Sequence, residues 1–364
     1  MSRIIVGLSG GVDSAVAALL LKEQGQEVHG LFMSNWEEDD AYCTAARDFQ
    51  DARAVAGELG IPLHRVSFAA EYRARVFEQF LTEHRAGRTP NPDVLCNREV
   101  KFGLALRYAR RLGGERLATG HYARIVHTPR GAELHQARDS CKDQSYFLHA
   151  IEPAALEHAL FPLGELHKDE VRARARAAGL PVFDKPDSTG ICFIGERPFR
   201  DFLGRFVCDS PGPIEDQHGE RLGTHRGLAF YTLGQRAGLA IGGRRGQAQA
   251  AWYVAAKDGA RNALIVVQGH DHPALLQREL TTAAAHWLAE PLTGPARCSV
   301  RVRHRHRPQP ASVEPQPGGL RVTFDEPQWA VTPGQYAVLY EGTRCLGGAV
   351  IASVRATAVR PAAA

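Results

Sequence analysis

The sequence has 364 residues, of which 44% are hydrophobic and 23% charged, and its formal net charge is +4. This length is too great for one typical core and predicts two or three domains, while the composition is that of an ordinary soluble globular protein. The longest apolar run is too short to cross a bilayer, and the first residues lack the pattern of a signal peptide, so we expect a cytoplasmic protein without membrane contact. The seven cysteines are widely spaced and form no Cys-x-x-Cys pair, which disfavours a disulfide framework and zinc or iron–sulfur sites.

The first third of the chain alternates predicted strands with predicted helices. The strands are Arg3–Leu8, Glu27–Met33, Leu63–Ser67 and Arg116–Thr119, and the helices are Ser14–Gln24, Cys43–Leu59, Glu71–Arg85 and Arg98–Leu112. This alternation predicts a parallel sheet with helices on both faces. A further helix, Asp169–Ala178, precedes a segment, Phe183–Glu196, whose Pro, Asp, Ser and Gly residues indicate a loop.

The second half of the chain has a different pattern. Beyond about residue 205 glycine becomes dense, and later runs alternate with a period of two residues: Cys298–His306, Gly319–Phe324, Gln335–Tyr340 and Leu346–Val354. Such runs are typical of small antiparallel sheets or barrels. We therefore predict an α/β domain with a Rossmann-like parallel sheet over residues 1–204. A small β-rich domain over 205–275 and a C-terminal antiparallel β-barrel over 276–364 would follow it.

A glycine-rich octapeptide lies directly between the first predicted strand and the first predicted helix. Its residues are Gly7, Leu8, Ser9, Gly10, Gly11, Val12, Asp13 and Ser14. Glycines let successive backbone N–H groups point at one anion, the helix N-terminus adds its dipole, and Asp13 can hold a magnesium ion. The motif has no lysine and is therefore not a Walker A loop. Although a tight turn with an Asp/Ser helix cap is the plainer interpretation, the full motif in this context favours phosphate binding.

Two cysteines lie in polar segments rich in Gly, Pro or Asp. Cys96 precedes the predicted Arg98 helix, and Cys192 follows Ser188-Thr189-Gly190. A thiol at a helix N-terminus has a lowered pKa, because the helix dipole favours the thiolate. A small buried hydrophobic residue is the alternative interpretation for either cysteine, and it is the favoured one for Cys43, Cys208, Cys298 and Cys345.

These motifs together resemble a known family. The octapeptide resembles the pyrophosphatase loop of the PP-loop ATPases, which split ATP to AMP and pyrophosphate. Five further strings extend the resemblance over nearly the whole chain: Asn91–Asn97, Thr119–Tyr122, Lys142–Leu148, Ser188–Glu196 and Tyr231–Arg236. On these strings the chain resembles the tRNA-specific 2-thiouridylase family.

The resemblance implies an ATP-dependent sulfurtransferase acting on the wobble uridine, position 34, of tRNA. The uracil 2-oxygen would be adenylated and replaced by sulfur from a cysteine persulfide, with release of AMP and pyrophosphate. The implied cofactor is ATP with Mg²⁺, the sulfur arrives as a protein persulfide, and no metal site of the chain's own is expected. The implied partners are tRNA, gripped by the two β domains, and an upstream sulfur donor or relay protein. A monomer is the expected state.

The resemblance also assigns roles to individual residues. ATP would contact Gly7, Leu8, Ser9, Gly10, Gly11, Val12, Asp13, Ser14, Met33 and Gly120. The target base would contact Asn91, Pro92 and Asp93, and Asp93 would act as the acid/base. Cys192 would carry the persulfide. Cys96 would resolve that persulfide through a Cys96–Cys192 disulfide. The tRNA contacts would be His121, Lys142, Asp143, Gln144, Arg303, His304 and Gln335. The family usually carries Tyr where this chain has His304.

In residues 301–307, near the start of the C-terminal domain, arginine alternates strictly with other residues. On a strand Arg301, Arg303, Arg305 and Arg307 would share one face. Four guanidinium groups in a row form a strip that can track phosphates, and a solvated edge-strand face is the alternative.

Two other functions fit parts of the pattern. An amide-forming PP-loop ligase would use the same loop with an amine nucleophile, but it would not need the paired cysteines. A non-enzymatic RNA-binding protein with a decayed loop is disfavoured because Asp13, Ser14, Asp93 and both cysteines are intact.

Overall fold

The computed structural model describes residues 3–36, 45–187, 198–241 and 250–355. A five-stranded parallel sheet forms the N-terminal part. Across the sheet its strands lie in the order Leu63–Ser67, Glu27–Ser34, Arg3–Gly7, Arg116–Ala118, Ala159–Leu160. The three inner strands are mostly buried, as expected for a parallel sheet covered on two faces. The Rossmann-like parallel sheet is thus confirmed.

Helices cover this sheet and connect its strands. The long ones are Val12–Glu23, Ala45–Leu59, Ala69–Arg85, Pro92–Arg111 and Lys168–Ala177, and the short ones are Ser145–Leu148, Pro153–Leu156 and Phe199–Leu203. Two of the long helices contain a wider π-helical stretch, Arg73–Phe77 in one and Cys96–Ala105 in the other. Single 3₁₀ turns occur at Leu228–Phe230 and Pro273–Leu275. No helix in the described ranges is both long and apolar enough to span a membrane.

Two further sheets follow, and both are largely antiparallel. The smaller has four strands in the order Trp252–Asp258, Ala263–Gln268, Gly212–Glu215, Arg221–His225. The larger contains, in order, Leu276–Thr282, Gly319–Trp329, Gln309–Gln316, Ala296–Arg301, Tyr336–Glu341, Arg344–Arg355, Gly131–Gln136 and Ala123–Thr128. A short strand, His286–Trp287, pairs with Arg344–Arg355. Leu276–Thr282 also pairs with Arg344–Arg355, which closes the barrel that the period-two runs predict.

A hairpin from the N-terminal half joins the barrel sheet. Its strands Ala123–Thr128 and Gly131–Gln136 pair with each other, and His135 pairs with Arg344. This hairpin was not predicted from the sequence, because its alternation is weak and Val126 points its apolar side chain outward. The hairpin brings the strings around His121 and Lys142 against the C-terminal barrel.

A buried ion pair holds the same two regions together. Arg301 Nη1 donates to Asp143 Oδ2 at 2.6 Å, and the two side chains are 6% and 1% exposed. Asp143 also accepts hydrogen bonds from the Ser145 hydroxyl at 2.9 Å and the Ala137 N–H at 3.0 Å. Because every donor is close, the buried carboxylate is fully compensated.

The prediction that four arginines share one face of a strand is wrong. The strand that carries it ends at Arg301, and the following residues form a turn in which the His306 N–H donates to the Arg303 carbonyl. Arg301 and Arg303 are drawn inward by acceptors inside the protein, whereas Arg305 and Arg307 stay exposed. Strict alternation in a basic run therefore did not indicate a strand here, because contacts with other parts of the fold outweighed local pattern.

We predict that Arg301→Met destabilises the protein by about 3–5 kcal/mol, because it leaves the Asp143 carboxylate buried without its cation. The measurement is the midpoint of urea unfolding. Arg305→Met is the matched control, since Arg305 is exposed and its removal should change stability by no more than about 0.5 kcal/mol. Equal midpoints for the two variants would contradict a stabilising role for the pair.

Candidate functional site

The glycine-rich loop forms a tight turn at the carboxyl end of the central strand. The strand ends at Gly7, and the helix begins at Val12. Gly10 has φ 77°, and a Cβ there would lie 2.4 Å from the Asp48 carbonyl oxygen, so only glycine fits. Ser14 stabilises the turn: its hydroxyl donates to the Gly11 carbonyl at 3.0 Å and accepts from the Ser9 N–H at 3.1 Å.

The first turn of this helix is left open to an anion. Its N-cap residue is Gly11, and no side chain caps the free N–H groups that follow. Such N–H groups and the helix dipole bind phosphates. The geometry therefore supports the phosphate-binding interpretation of the loop over a side-chain-capped turn.

Asp13 is held by a lysine and a tyrosine that the sequence analysis missed. Lys168 Nζ lies 2.7 and 2.8 Å from the two Asp13 carboxylate oxygens, and the Tyr122 hydroxyl donates to Oδ1 at 2.8 Å. Burial, and then the nearby Asp13 charge, raise the pKa of Tyr122 well above its ordinary value, so its hydroxyl stays a donor. Lys168 begins its helix, where the Asp139 carboxylate accepts from its backbone N–H at 3.0 Å.

Lys168 also pairs with a second carboxylate, Asp187. Its Nζ lies 2.7 Å from Asp187 Oδ1, and Lys142 and Arg172 reach the same carboxylate at 2.7 and 3.0 Å. Partial burial works to raise the pKa of Asp187, but the hydrogen bonds from Lys142 and Lys168 outweigh it and lower this pKa to about 2. Asp187 therefore remains ionised and joins the two lysines and Arg172 in one ion-pair cluster.

Another lysine closes the opposite side of the loop. Lys185 Nζ donates to the Gly10 carbonyl at 3.0 Å and pairs with Asp48 and Asp51 at 2.8 and 2.5 Å. These bonds raise the pKa of Lys185 against the opposing effect of burial. A single linear motif could not have shown Lys168 or Lys185, because both come from a distant part of the chain.

Met33 and Gly120, the predicted nucleotide contacts outside the phosphate loop, lie against that loop. A Cβ on Gly120 would be 2.7 Å from the Asp13 carbonyl carbon and from the Ser14 nitrogen. The Met33 methyl group would lie 3.4 Å from a Cβ on Gly7. The fold therefore places Met33 beside Gly7 and Gly120 beside Asp13 and Ser14, and their contacts with ATP stay predictions.

Cys96 lies inside a helix, which corrects the expected loop. The helix begins at Pro92 rather than Arg98, because proline is well suited to a first helical position. Cys96 is buried at 2% exposure and lies beyond the first turn, where the dipole effect falls off. Cys192 and the string 188–196 lie outside the described residues.

Asp93 lies in the first turn of the same helix. Burial raises the pKa of its carboxyl, and the charge of Lys101 offsets part of this effect. The preceding loop is held by the barrel: Gln335 Nε2 donates to the carbonyls of Thr89 and Pro90 at 2.8 and 3.2 Å. The C-terminal domain thus positions the segment that leads into Asn91, Pro92 and Asp93.

The predicted tRNA contacts are spread between surface and interior. Gln144 accepts from the Tyr122 N–H at 3.0 Å, and Arg303 Nη2 donates to the carbonyls of Leu233 and Ala330 and to Thr332. Lys142 is 40% exposed, while His121 is 9% exposed and lies in the interior. Their contacts with tRNA stay predictions, and the geometry gives Asp143, Gln144, Arg303 and Gln335 bonds within the protein.

Comparison with known proteins covers nearly the whole chain. Three family models match: the tRNA methyl transferase HUP domain at residues 2–196, the tRNA methyl transferase PRC-barrel domain at 200–268 and the aminomethyltransferase beta-barrel domain at 277–351. The tRNA-specific 2-thiouridylase MnmA of Paracidovorax citrulli is 55% identical over 361 residues, 96% of each chain. That of Cupriavidus metallidurans is 55% identical over 354 residues, 96% of this chain and 99% of the relative.

The chain belongs to the tRNA-specific 2-thiouridylase family. Solved structures match it more distantly. The U34-tRNA thiolase NcsA from Methanococcus maripaludis is 18% identical, with 56% of this chain and 63% of that chain covered and a TM-score of 0.35. A likeness at that distance carries no functional information.

His304, which the resemblance places among the tRNA contacts, lies against an aromatic ring. Its imidazole packs on Phe147 with 4.3 Å between ring centroids. Burial lowers the pKa of His304 to about 4, so the ring is neutral near pH 7. The neutral ring is thus an aromatic partner of Phe147, and its contact with tRNA stays a prediction.

We predict that Gly120→Ala distorts the loop and lowers stability by about 1–3 kcal/mol, because the new methyl group meets backbone atoms of Asp13 and Ser14. Gly57→Ala is the matched control. Gly57 lies within a helix with open space around its Cα, so alanine should stabilise by up to about 1 kcal/mol. Thermal unfolding of both variants checks this, and a neutral Gly120→Ala would contradict the close approach.

Proposed function

We propose that the protein replaces the 2-oxygen of the wobble uridine, position 34, of tRNA with sulfur, using ATP and a cysteine persulfide. Family membership makes the chain a tRNA-uridine 2-sulfurtransferase. The observation that carries the finer proposal is the open phosphate loop with Asp13 held between Tyr122 and Lys168.

The residues around the loop fit an ATP molecule. The uncapped N–H groups after Gly11 would receive phosphate oxygens, and glycines at 7, 10 and 120 leave room for the backbone to approach them. Lys168 and Lys185 supply positive charge on two sides. Asp13 would hold the Mg²⁺ that accompanies ATP, which neutralises phosphate charge in such reactions. Met33 and Gly120 complete the nucleotide contacts.

Asp93 would act on the target base. A uracil carbonyl oxygen becomes a leaving group only after activation, so the 2-oxygen attacks the α-phosphorus of ATP and pyrophosphate departs. The uracil N3 proton must leave as this bond forms. Asp93 would accept it, and its raised pKa makes it a stronger base than an exposed aspartate. Asn91 and Pro92 would border the base.

Sulfur transfer would use the two cysteines. The terminal sulfur of a persulfide on Cys192 attacks C2 of the activated uracil, and AMP leaves. The Cys96 thiolate then attacks the Cys192 sulfur, which forms a Cys96–Cys192 disulfide and releases the thiolated base. A cellular dithiol reduces that disulfide, and a donor protein restores the persulfide for the next cycle.

The outer domains would hold the tRNA. Residues 1–204 would carry the chemistry, while 205–275 and 276–364 would grip RNA. Cations at the surface such as Arg305, Arg307 and Lys142 would meet the phosphates, and the neutral His304 would contact the RNA without adding charge. Flipping the target base out of its stack costs a few kcal/mol, which these contacts would offset.

The test is mass analysis of nucleosides from unmodified tRNA incubated with the protein, ATP, Mg²⁺ and a persulfide donor. We expect 2-thiouridine at the wobble position, and Cys192→Ser should abolish it because the sulfur carrier is lost. Cys208→Ser is the matched control, since Cys208 is exposed and has no assigned role.

Each outcome points to one function. Retained thiolation in Cys192→Ser would contradict the persulfide role. Formation of AMP from ATP without any 2-thiouridine, even in the unaltered protein, would instead favour an amide-forming PP-loop ligase.

A further inference from the structure

A short segment, residues 87–90, lies where the parallel-sheet domain meets both outer domains. It leads directly into Asn91, the N-cap of the helix that carries Asp93. The segment belongs to the N-terminal part of the chain, but several of its backbone polar groups bond to the middle domain and to the barrel. The start of the Asp93 helix is therefore held by contacts that come from outside its own domain.

The barrel holds the second half of this segment. Gln335 Nε2 donates to the carbonyls of Thr89 and Pro90 at 2.8 and 3.2 Å, and the Thr89 N–H donates to the Pro333 carbonyl at 3.0 Å. Gly334 has φ 94°, and a Cβ there would lie 2.9 Å from backbone atoms of Thr89. The two backbones thus touch without a side chain between them.

The middle domain holds the first half of the segment through Lys257. This lysine lies on the strand Trp252–Asp258, and its Nζ donates to the Gly87 carbonyl at 2.8 Å. Just before the segment His84 is buried, and burial lowers its pKa to about 4. Its neutral imidazole donates from Nδ1 to the Ala229 carbonyl at 3.1 Å. The middle domain thus bonds to the last turn of one helix and to the segment that follows it.

Lys257 is held there without a carboxylate. Among the residues that the structure describes, no acidic side chain pairs with Lys257, and its ammonium has one acceptor, the Gly87 carbonyl. Burial lowers the pKa of Lys257 to about 8, because the charged form loses hydration. Burying this charge works against folding, and a methionine of similar length would avoid that cost. What the ammonium does supply is a strong hydrogen bond to one carbonyl.

We propose that Lys257 is a positioning residue, which holds the Gly87 carbonyl from the middle domain and so, together with the barrel, fixes the start of the helix that carries Asp93. The consequence for catalysis rests on the proposed function, in which Asp93 acts on the target base. The hold on the segment is a property of the protein alone. The two domains that would grip tRNA thereby also set the place of the carboxyl that meets the base.

The first test is amide hydrogen exchange, read by mass spectrometry, in the full-length protein without ligand. In Lys257→Met we expect peptides that span residues 87–95 to exchange about tenfold faster, since a hydrogen bond from a charged donor is lost. Lys257→Arg keeps a cationic donor and should restore slow exchange. Unchanged exchange of these peptides in Lys257→Met would overturn the proposal.

Two controls separate a local effect from general damage. Arg221→Met removes an exposed cation from another strand of the middle sheet and should leave the exchange of residues 87–95 unchanged. The urea midpoint of Lys257→Met should not fall, because methionine keeps the packed stem and buries no charge. A lower midpoint, with faster exchange throughout the middle domain, would mean that Lys257 only stabilises that domain and would overturn the proposal.

The second test is the steady-state kinetics of tRNA thiolation. Lys257→Met should lower kcat about tenfold or more and leave KM for tRNA nearly unchanged, because the base meets a misplaced Asp93 while the contacts with RNA remain. Arg305→Met, which removes an exposed cation, should instead raise KM. A raised KM with an unchanged kcat in Lys257→Met would assign Lys257 to RNA binding and contradict the positioning role. Failure of the unaltered protein to thiolate tRNA would contradict the proposed function, while hydrogen exchange would still decide the hold on the segment.

Discussion

The ion pair between Asp13 and Lys168 organises the site. Asp13 lies in the first turn of a helix whose open N–H groups attract anions, and its carboxylate also has a cation beside it. Lys168 supplies it and simultaneously holds Asp187, while Tyr122 fixes the orientation of the Asp13 carboxylate. A phosphate chain entering the loop would compete for the same ammonium. Through Lys168 the loop is therefore connected to Asp187 and the cations around it.

The C-terminal barrel contacts the segments that surround the candidate site. Gln335 holds the carbonyls of Thr89 and Pro90, just before the helix with Asp93 and Cys96, and Arg301 closes on Asp143 next to the Lys142 string. Polar groups of the barrel thus shape the surroundings of the proposed target base. Contacts made by Arg303 likewise tie the barrel to Leu233 in the middle domain. A chain cut before the barrel would lose these supports.

Sequence patterns predicted the parallel sheet and the barrel well, because each depends on local periodicity. The loop Gly7–Ser14 was recognisable for the same reason, as its chemistry is contiguous. Lys168 and Lys185 escaped prediction because distant segments bring them to the loop. The Arg301–Arg307 strip was mispredicted because acceptors inside the protein turned Arg301 and Arg303 inward. The start of the Cys96 helix was mispredicted because the helix already begins at Pro92. The environment of Cys192 lies outside the described residues.

The most direct measurement of the central claim, adenylation of the uracil oxygen at this loop, is an oxygen-transfer experiment. Unmodified tRNA labelled with ¹⁸O at the uracil 2-oxygen is incubated with the protein, ATP, Mg²⁺ and a persulfide donor, and the released AMP is weighed by mass spectrometry. If the 2-oxygen attacks the α-phosphorus, each thiolation event places one ¹⁸O atom in AMP. Unlabelled AMP formed alongside 2-thiouridine would show that the oxygen leaves by another route and would contradict the account.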